Sequence, residues 1–307
     1  MKVGIHIQSA NDEKYAAMLR RFANSIEHLG GSAYVNEHSY VAKDYDVDVF
    51  FGSWKQRENP WHICKQQIVQ NHQLSGRPFV VFETPLVGRG PVSDIMQDEC
   101  YRVGINGFLA DDGFEHVLGS PHDRLDVQCI TLPQLKINES GCILVALQIP
   151  GDASLRGCNI SLWARDTISE IKKYSTKPII LRTPQLPRDY DLSWLTEDII
   201  LQQGSHDNLY STIDSAWCTV TYSSGLAIDS MLRGVPTIAC NSANFTYRFG
   251  QNDIANVTSP SWPDEISLRQ WLADLSYAQW SDEEIANGEC WNYIRSKLIN
   301  KLATRHS

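Results

Sequence analysis

VTYSSGLAIDSMLRGVPTIA (Val220–Ala239) reads as a strand, a tight turn of small residues, a helix and a second strand. The strand gives way at Ser223-Ser224-Gly225. A helix N-terminus presents unpaired N–H groups and the positive end of the helix dipole, so an anion is favoured there. Two serines add hydroxyl donors, and Gly225 lets a ligand approach the backbone closely. Asp229, inside the following helix, is a candidate for holding a sugar or ribose hydroxyl. The same residues also suit an ordinary helix cap at Ser223 or Ser224 and a plain turn at Gly234-Val235-Pro236. On this stretch alone both readings stand.

Outward from it, the chain repeats the alternation of strand and helix that signals a parallel α/β sheet. On the C-terminal side the pattern predicts strands at CILVALQ, KPIILR, DIILQQ, AWCTVTY and VPTIAC. Helices are expected over Ser161–Lys173, near Asn208–Ile213, over Ser224–Arg233 and over Asp264–Leu275, with a last long one from Asp282 to Leu302 that Gly288 interrupts. The N-terminal side predicts strands at KVGIHIQ, SAYVNE, DVDVFFG and PFVVFE. One helix there has Asn11 or Asp12 as its N-cap and ends at Gly30-Gly31, and a second runs from Trp61 to His72. Thr84–Asn138 shows no sustained period and reads as irregular loops, a kind of segment that is often functional. Two such halves predict two Rossmann-like domains, residues 1–138 and 139–280, with 281–307 as a helix crossing back to the first. The default site is the cleft between them, beyond the carboxyl ends of the strands.

The 307 residues are 42% hydrophobic and 21% charged, an ordinary globular balance. A net charge of -9 argues against a surface that embraces nucleic acid as a whole, though not against a local basic groove. Lys55, Arg57, Lys65, Arg77, Arg89 and Arg102 are the residues that would form one. The eight cysteines are scattered without a CxxC pair, which points to reduced thiols in a cytoplasmic protein. The opening MKVGIHIQSANDEKY is too short in its apolar run for a signal peptide, and no stretch reaches the length of a membrane span. Asp46-Val47-Asp48 has Asp-x-Asp spacing but begins a strand, where it reads as a solvated edge; neither a metal nor a cofactor is expected. His6 and His62 read as hydrogen-bonded structural residues.

A second stretch, ILVALQIPGDASLRG (Ile143–Gly157), runs a buried strand into a loop holding Asp152, Ser154 and Arg156, just past Gln148. It resembles the strand and loop of the bacterial capsule polysaccharide Kdo transferases, whose pattern is close to V-L-V-x-x-Q-x-x-x-D-x-S. Tyr222 to Pro236, followed by Asn244, Phe245 and Tyr247, resembles that family's S-x-x-G-x-x-A-L-x-x-G-x-P stretch and its downstream aromatic. The two occur in the family's order, and the resemblance covers about the C-terminal half. It implies the GT-B fold, two Rossmann-like domains facing each other across a cleft, and a nucleotide-sugar donor as co-substrate. The donor would be held by Gln148, Asp152, Ser154, Arg182, Ser223, Ser224, Gly225 and Asp229. Where the family carries a basic residue and then His-Pro, this chain reads Arg182-Thr183-Pro184. Ala227 and Asp229 stand where the family has a glycine and a glutamate. Donor sugar and nucleotide therefore stay open.

In the N-terminal half the family places an acidic residue at a strand end, and Glu83 matches that position. An acceptor hydroxyl needs its proton removed as the new bond forms, so Glu83 is the first candidate base, with Asp111 and Asp112 as rivals. A plain ion pair of Glu83 with Arg89 or Arg102 is the alternative. Trp54, Arg102 and Asn106 are the candidate acceptor residues. The expectation is a metal-independent glycosyltransferase acting on a surface glycan or on modified DNA as some phage enzymes do. The rivals are a nucleotide-sugar epimerase and a binding protein without chemistry.

Overall fold

The computed structural model describes residues 1–8, 13–37, 43–54, 59–87, 100–127, 130–185 and 188–303. Asn11, Asp12, Lys55, Arg57, Arg89, Cys129 and Pro187 lie outside the described residues. The chain builds two sheets. The first takes β1 (Lys2–Ile7), β2 (Ser32–Glu37), β3 (Val47–Phe51), β4 (Phe79–Glu83) and β5 (Cys100–Ile105), and is joined much later by β11 (Gln279–Ser281). The second takes β6 (Cys142–Ala146), β7 (Ile179–Thr183), β8 (Ile199–Gln203), β9 (Ala216–Thr221) and β10 (Thr237–Ala239).

All pairings in the second sheet are parallel, in the order β10-β9-β6-β7-β8. This is the Rossmann order, with the chain reversing direction of travel across the sheet between β6 and β9. Parallel strands covered on both faces must be apolar throughout, and Cys142–Ala146 is buried at every position. The helices α4 (Ile160–Tyr174), α5 (His206–Asp214) and α6 (Leu226–Leu232) link the strands. Asn159 caps α4 by accepting from the amides of Ser161 and Leu162. Gly234 ends the stretch after α6 at φ 83°; a Cβ there would lie 1.9 Å from the carbonyl oxygen of Gln134.

In the first sheet β2, β1, β3 and β4 are parallel, linked by α1 (Glu13–His28) and α2 (Pro60–Ser75), while β5 and β11 are antiparallel additions. β5 corrects the reading of 84–138 as irregular: a strand stands in it, followed by the short helix α3 (Arg124–Val127). Asp48 corrects another. It is no solvated edge but a buried residue whose Oδ1 lies 2.8 Å from His6 Nε2 on the neighbouring strand. A carboxylate so placed is tolerable because a hydrogen-bond partner is buried with it.

After α7 (Glu265–Ala278) the chain crosses back at β11, then forms α8 (Asp282–Ala286) and α9 (Glu289–Ala303), separated at Gly288 with φ 92°. Trp280, Ile285, Trp291, Ile294 and Leu298 complete the core beneath β1, β3 and α1. Arg124 fastens this seam. Its guanidinium grips Glu284 at 2.6 and 3.1 Å, donates to the carbonyls of Ser276 and Gln279, and stacks 3.8 Å from the Trp280 ring centre. Leu86, Val87, Phe114 and Leu125 from the first half meet Ile228, Met231, Trp271 and Leu275 from the second in one apolar cluster. Among the described residues no helix is long and apolar enough to cross a membrane, and the seven described cysteines are free thiols.

Candidate active site

The turn where β9 meets α6 lies beside the turn that follows β6, because those strands are neighbours across the topological switch. Gln148, the second residue beyond β6, spans that switch. Its Oε1 accepts from the amide of Ser223 at 2.8 Å, and its Nε2 donates to the hydroxyls of Ser154 at 2.8 Å and Ser223 at 3.1 Å. Asp152 in turn accepts from the amide and hydroxyl of Ser154 at 2.9 and 2.8 Å. The glutamine, the aspartate and both serines are thus one closed network that shapes the cleft floor. Ser224 acts at the start of α6, its Oγ accepting from the amide of Leu226, while Asn244 donates to its carbonyl.

Around this floor lies a cavity of about 390 Å³. Its lining brings together Glu83, Arg102, Gln148, Asp152, Ser154, Arg182, Ser223, Ser224 and Gly225. Residues from both sheets therefore face one space. Glu83 ends β4 and is paired in register with Arg102 on antiparallel β5. Opposite charges on facing positions attract, and Arg102 Nη2 lies 3.8 Å from Glu83 Oε2. The pairing with Arg102 and a place in the cavity occur together at Glu83.

Arg182, at the end of β7, is the unusual residue of the lining. It is 5% exposed. Its Nη1 donates to Gln202 Oε1 at 2.8 Å and Asn208 Oδ1 at 2.6 Å, and its Nη2 to the carbonyl of Ser205 at 2.9 Å. Every one of these acceptors is neutral. Among the described residues no carboxylate stands within ion-pair distance, and burial alone pulls its pKa below the ordinary arginine value. A guanidinium stays protonated, so this wall of the cavity holds a buried, uncompensated positive charge. Asn208 and Ser205, its supports, were not singled out in the sequence; their signal is the capping box that Ser205 and Asn208 form at the start of α5.

Other candidate residues sit elsewhere. Asn106 adopts φ 67°, and its Oδ1 accepts from the amide of Phe79, so it serves a turn outside the cavity. Asp229 is buried in α6, near Tyr210 and Arg233, and does not line the cavity. Trp54 lines a neighbouring hollow with Pro150–Ala153 and Leu155–Ser161, its ring edge-on to Phe79 and Phe108. Asp111 and Asp112 are engaged by Arg156, and Asp112 Oδ1 also accepts from the amides of Phe108 and Leu109. Of the basic residues that a duplex would need, Lys65 is buried and donates to the carbonyls of Gly52 and Ser53. Arg77 is paired with Asp44, and Arg102 lines the cleft.

No family model and no curated protein matches the sequence. Among solved structures, two from Thermosulfurimonas dismutans KpsC are similar at 12% identity. The beta Kdo 2,4 transferase has a TM-score of 0.55 over 88% of this chain and 89% of that one. The beta Kdo 2,7 transferase has a TM-score of 0.55 over 95% of this chain and 99% of that one. S. aureus MnaA, in a structure with UDP, aligns over 97% and 96% at 10% identity, but its TM-score of 0.36 is too low to carry an argument. Two parallel-rich sheets, a Rossmann strand order and a shared cleft agree with the likeness to KpsC: the fold of this chain is GT-B, as its two sequence stretches implied.

Proposed function

We propose that the chain is a glycosyltransferase that holds a nucleotide sugar in the cleft, with the donor phosphate against Arg182. The observation that carries this reading is the buried guanidinium with only neutral partners, beside the floor built by Gln148 and Ser223. Burying a charge without a counter-charge is expensive, and an anionic ligand removes that penalty. In the transfer, the acceptor oxygen bonds to the anomeric carbon while the bond from that carbon to the phosphate oxygen breaks. The nucleotide leaves with the electron pair, and the positive wall stabilises the charge that grows on it. The acceptor's proton passes to Glu83, which faces the same space.

A glycan hydroxyl is the preferred acceptor. Support comes from the basic residues: the described members of the set that would grip a duplex are buried, paired or turned into the cleft. A thermal-shift screen of CMP, UDP, GDP and their sugar conjugates tests the donor half, since a ligand that binds only the folded form raises Tm. Product analysis with the winning donor tests the chemistry. Glu83→Gln is expected to retain donor binding and to lower turnover by about 10²–10⁴-fold. Free nucleotide released together with an epimerised sugar, with no acceptor present, would replace transfer by epimerisation.

A further inference from the structure

Arg156 follows a single 3₁₀ turn at Ala153–Leu155 and holds φ 49°, ψ 40°. A left-handed backbone is unfavourable for a residue with a Cβ and persists where the surroundings fix it. Here the side chain does so. Nη1 and Nη2 reach the two oxygens of Asp111 at 2.7 and 2.6 Å, and Nη2 reaches Asp112 Oδ2 at 3.1 Å. Ser242 Oγ donates to Asp111 Oδ2 at 2.6 Å, and the amide of Ala110 donates to the carbonyl of Ala243.

Both ends of this bridge belong to walls of the cleft. The loop of Arg156 carries Asp152 and Ser154, on the side of the second sheet. Asp112 spends its other oxygen on the amides of Phe108 and Leu109, two lining residues that follow β5 in the first sheet. That loop is tight: a Cβ at Gly107 would come 2.3 Å from Asp112 Oδ1. A pull on Arg156 is therefore transmitted to both walls. The bridge also stands at the boundary with the second hollow, which shares Phe108, Leu109 and Asp152 with the cavity. Burial pushes the Asp111 carboxyl up, but the bonds from Arg156 and Ser242 outweigh this and hold it below the usual carboxylate value.

We infer that Arg156 is a positioning residue that clips the two rims of the cleft together, so that occupancy of the cleft and closure of the clip stabilise each other. The occupant is the nucleotide of the reading above, on which this second half of the inference rests. A ligand that touches both walls favours the clipped state, and by linkage the clip raises the ligand's affinity by the same factor.

Hydrogen exchange on the ligand-free full chain tests the clip without any donor. In Arg156→Ala, and separately in Asp111→Asn, exchange in the 106–113 and 146–158 segments is expected to rise together by about tenfold or more, with β1 and β9 unchanged. Arg156→Lys recovers part of the protection, and 0.5 M NaCl loosens the wild type in the same two segments because the bridge is partly exposed. Faster exchange confined to 150–158, or no change, overturns the clip. Calorimetry with CMP, UDP and GDP then reads the coupling. About tenfold weaker binding in Arg156→Ala, with partial rescue in Arg156→Lys, supports it, and equal affinity refutes it. A wild type that binds none of the three sinks the nucleotide reading, while the exchange result still decides the clip.

Discussion

Arg124 and Arg182 are buried to a similar degree, yet their surroundings differ in kind. At the seam where the chain returns to the first sheet, Arg124 is answered by a full carboxylate, two carbonyls and an indole face. At the cleft, Arg182 is met only by neutral dipoles. A dipole orients a cation without cancelling it. The first arginine is finished as a structural part, whereas the second is held ready for a charge the chain does not supply. His116 shows a third outcome. Burial, with Lys297 and Lys301 nearby, lowers its pKa to about 3, so the imidazole stays neutral. Histidine can yield its proton where arginine cannot.

The contrast can be broken most directly through stability. Arg124→Met strands Glu284 in the seam and is expected to cost about 3–5 kcal/mol in urea unfolding, while Arg182→Met costs less than half as much. Equal losses would erase the distinction. Arg182→Met should then weaken nucleotide binding by about 100-fold, roughly 2.7 kcal/mol, read by calorimetry; undiminished binding would mean that the anion sits elsewhere.

For His116 the sign follows from a folded pKa below the unfolded one. Its contribution to stability is complete above about 6.5, the unfolded value, and is lost as pH falls towards about 3. Over that window the loss is about 1.4 kcal/mol per pH unit, roughly 2 kcal/mol at pH 5. His116→Gln should flatten the unfolding free energy between pH 6.5 and 5, and an unchanged slope would exclude this histidine as the source. The smallest expected effect belongs to Ser223→Ala, which removes one hydroxyl from the floor and costs about 1 kcal/mol by denaturant titration.

Legibility followed the same division between the two halves. In the second half the inner strands β6 and β9 are covered on both faces, so Ile143–Ala146 and Trp217–Thr221 stand out as apolar runs, and the polar residues after them announce the cleft. Gln148, Arg182 and Ser223 could be found this way because each lies a step or two beyond such a run, and Ser154 because it sits in the loop that follows Gln148. The first half hid more. β5 alternates around Arg102 and Gly104, and its partner β11 lies far along the chain, so no local period reveals it. Asp48 looked solvated because its partner, His6, sits on a different strand. Asp111 and Asp112 drew attention as acids, but whether they face a substrate or Arg156 depends on a contact across more than 40 positions, which no local pattern encodes.

The return of β11, α8 and α9 has a consequence for synthesis. Trp280, Trp291 and Leu298 fill the core under β1 and α1, yet the ribosome makes them only after the whole second sheet. At ordinary elongation rates the early strands wait roughly 10–60 s for their missing apolar cover. During that interval the apolar face of the nascent first half stays open to solvent, and the second half, with every strand of its own sheet already made, is free to fold before it.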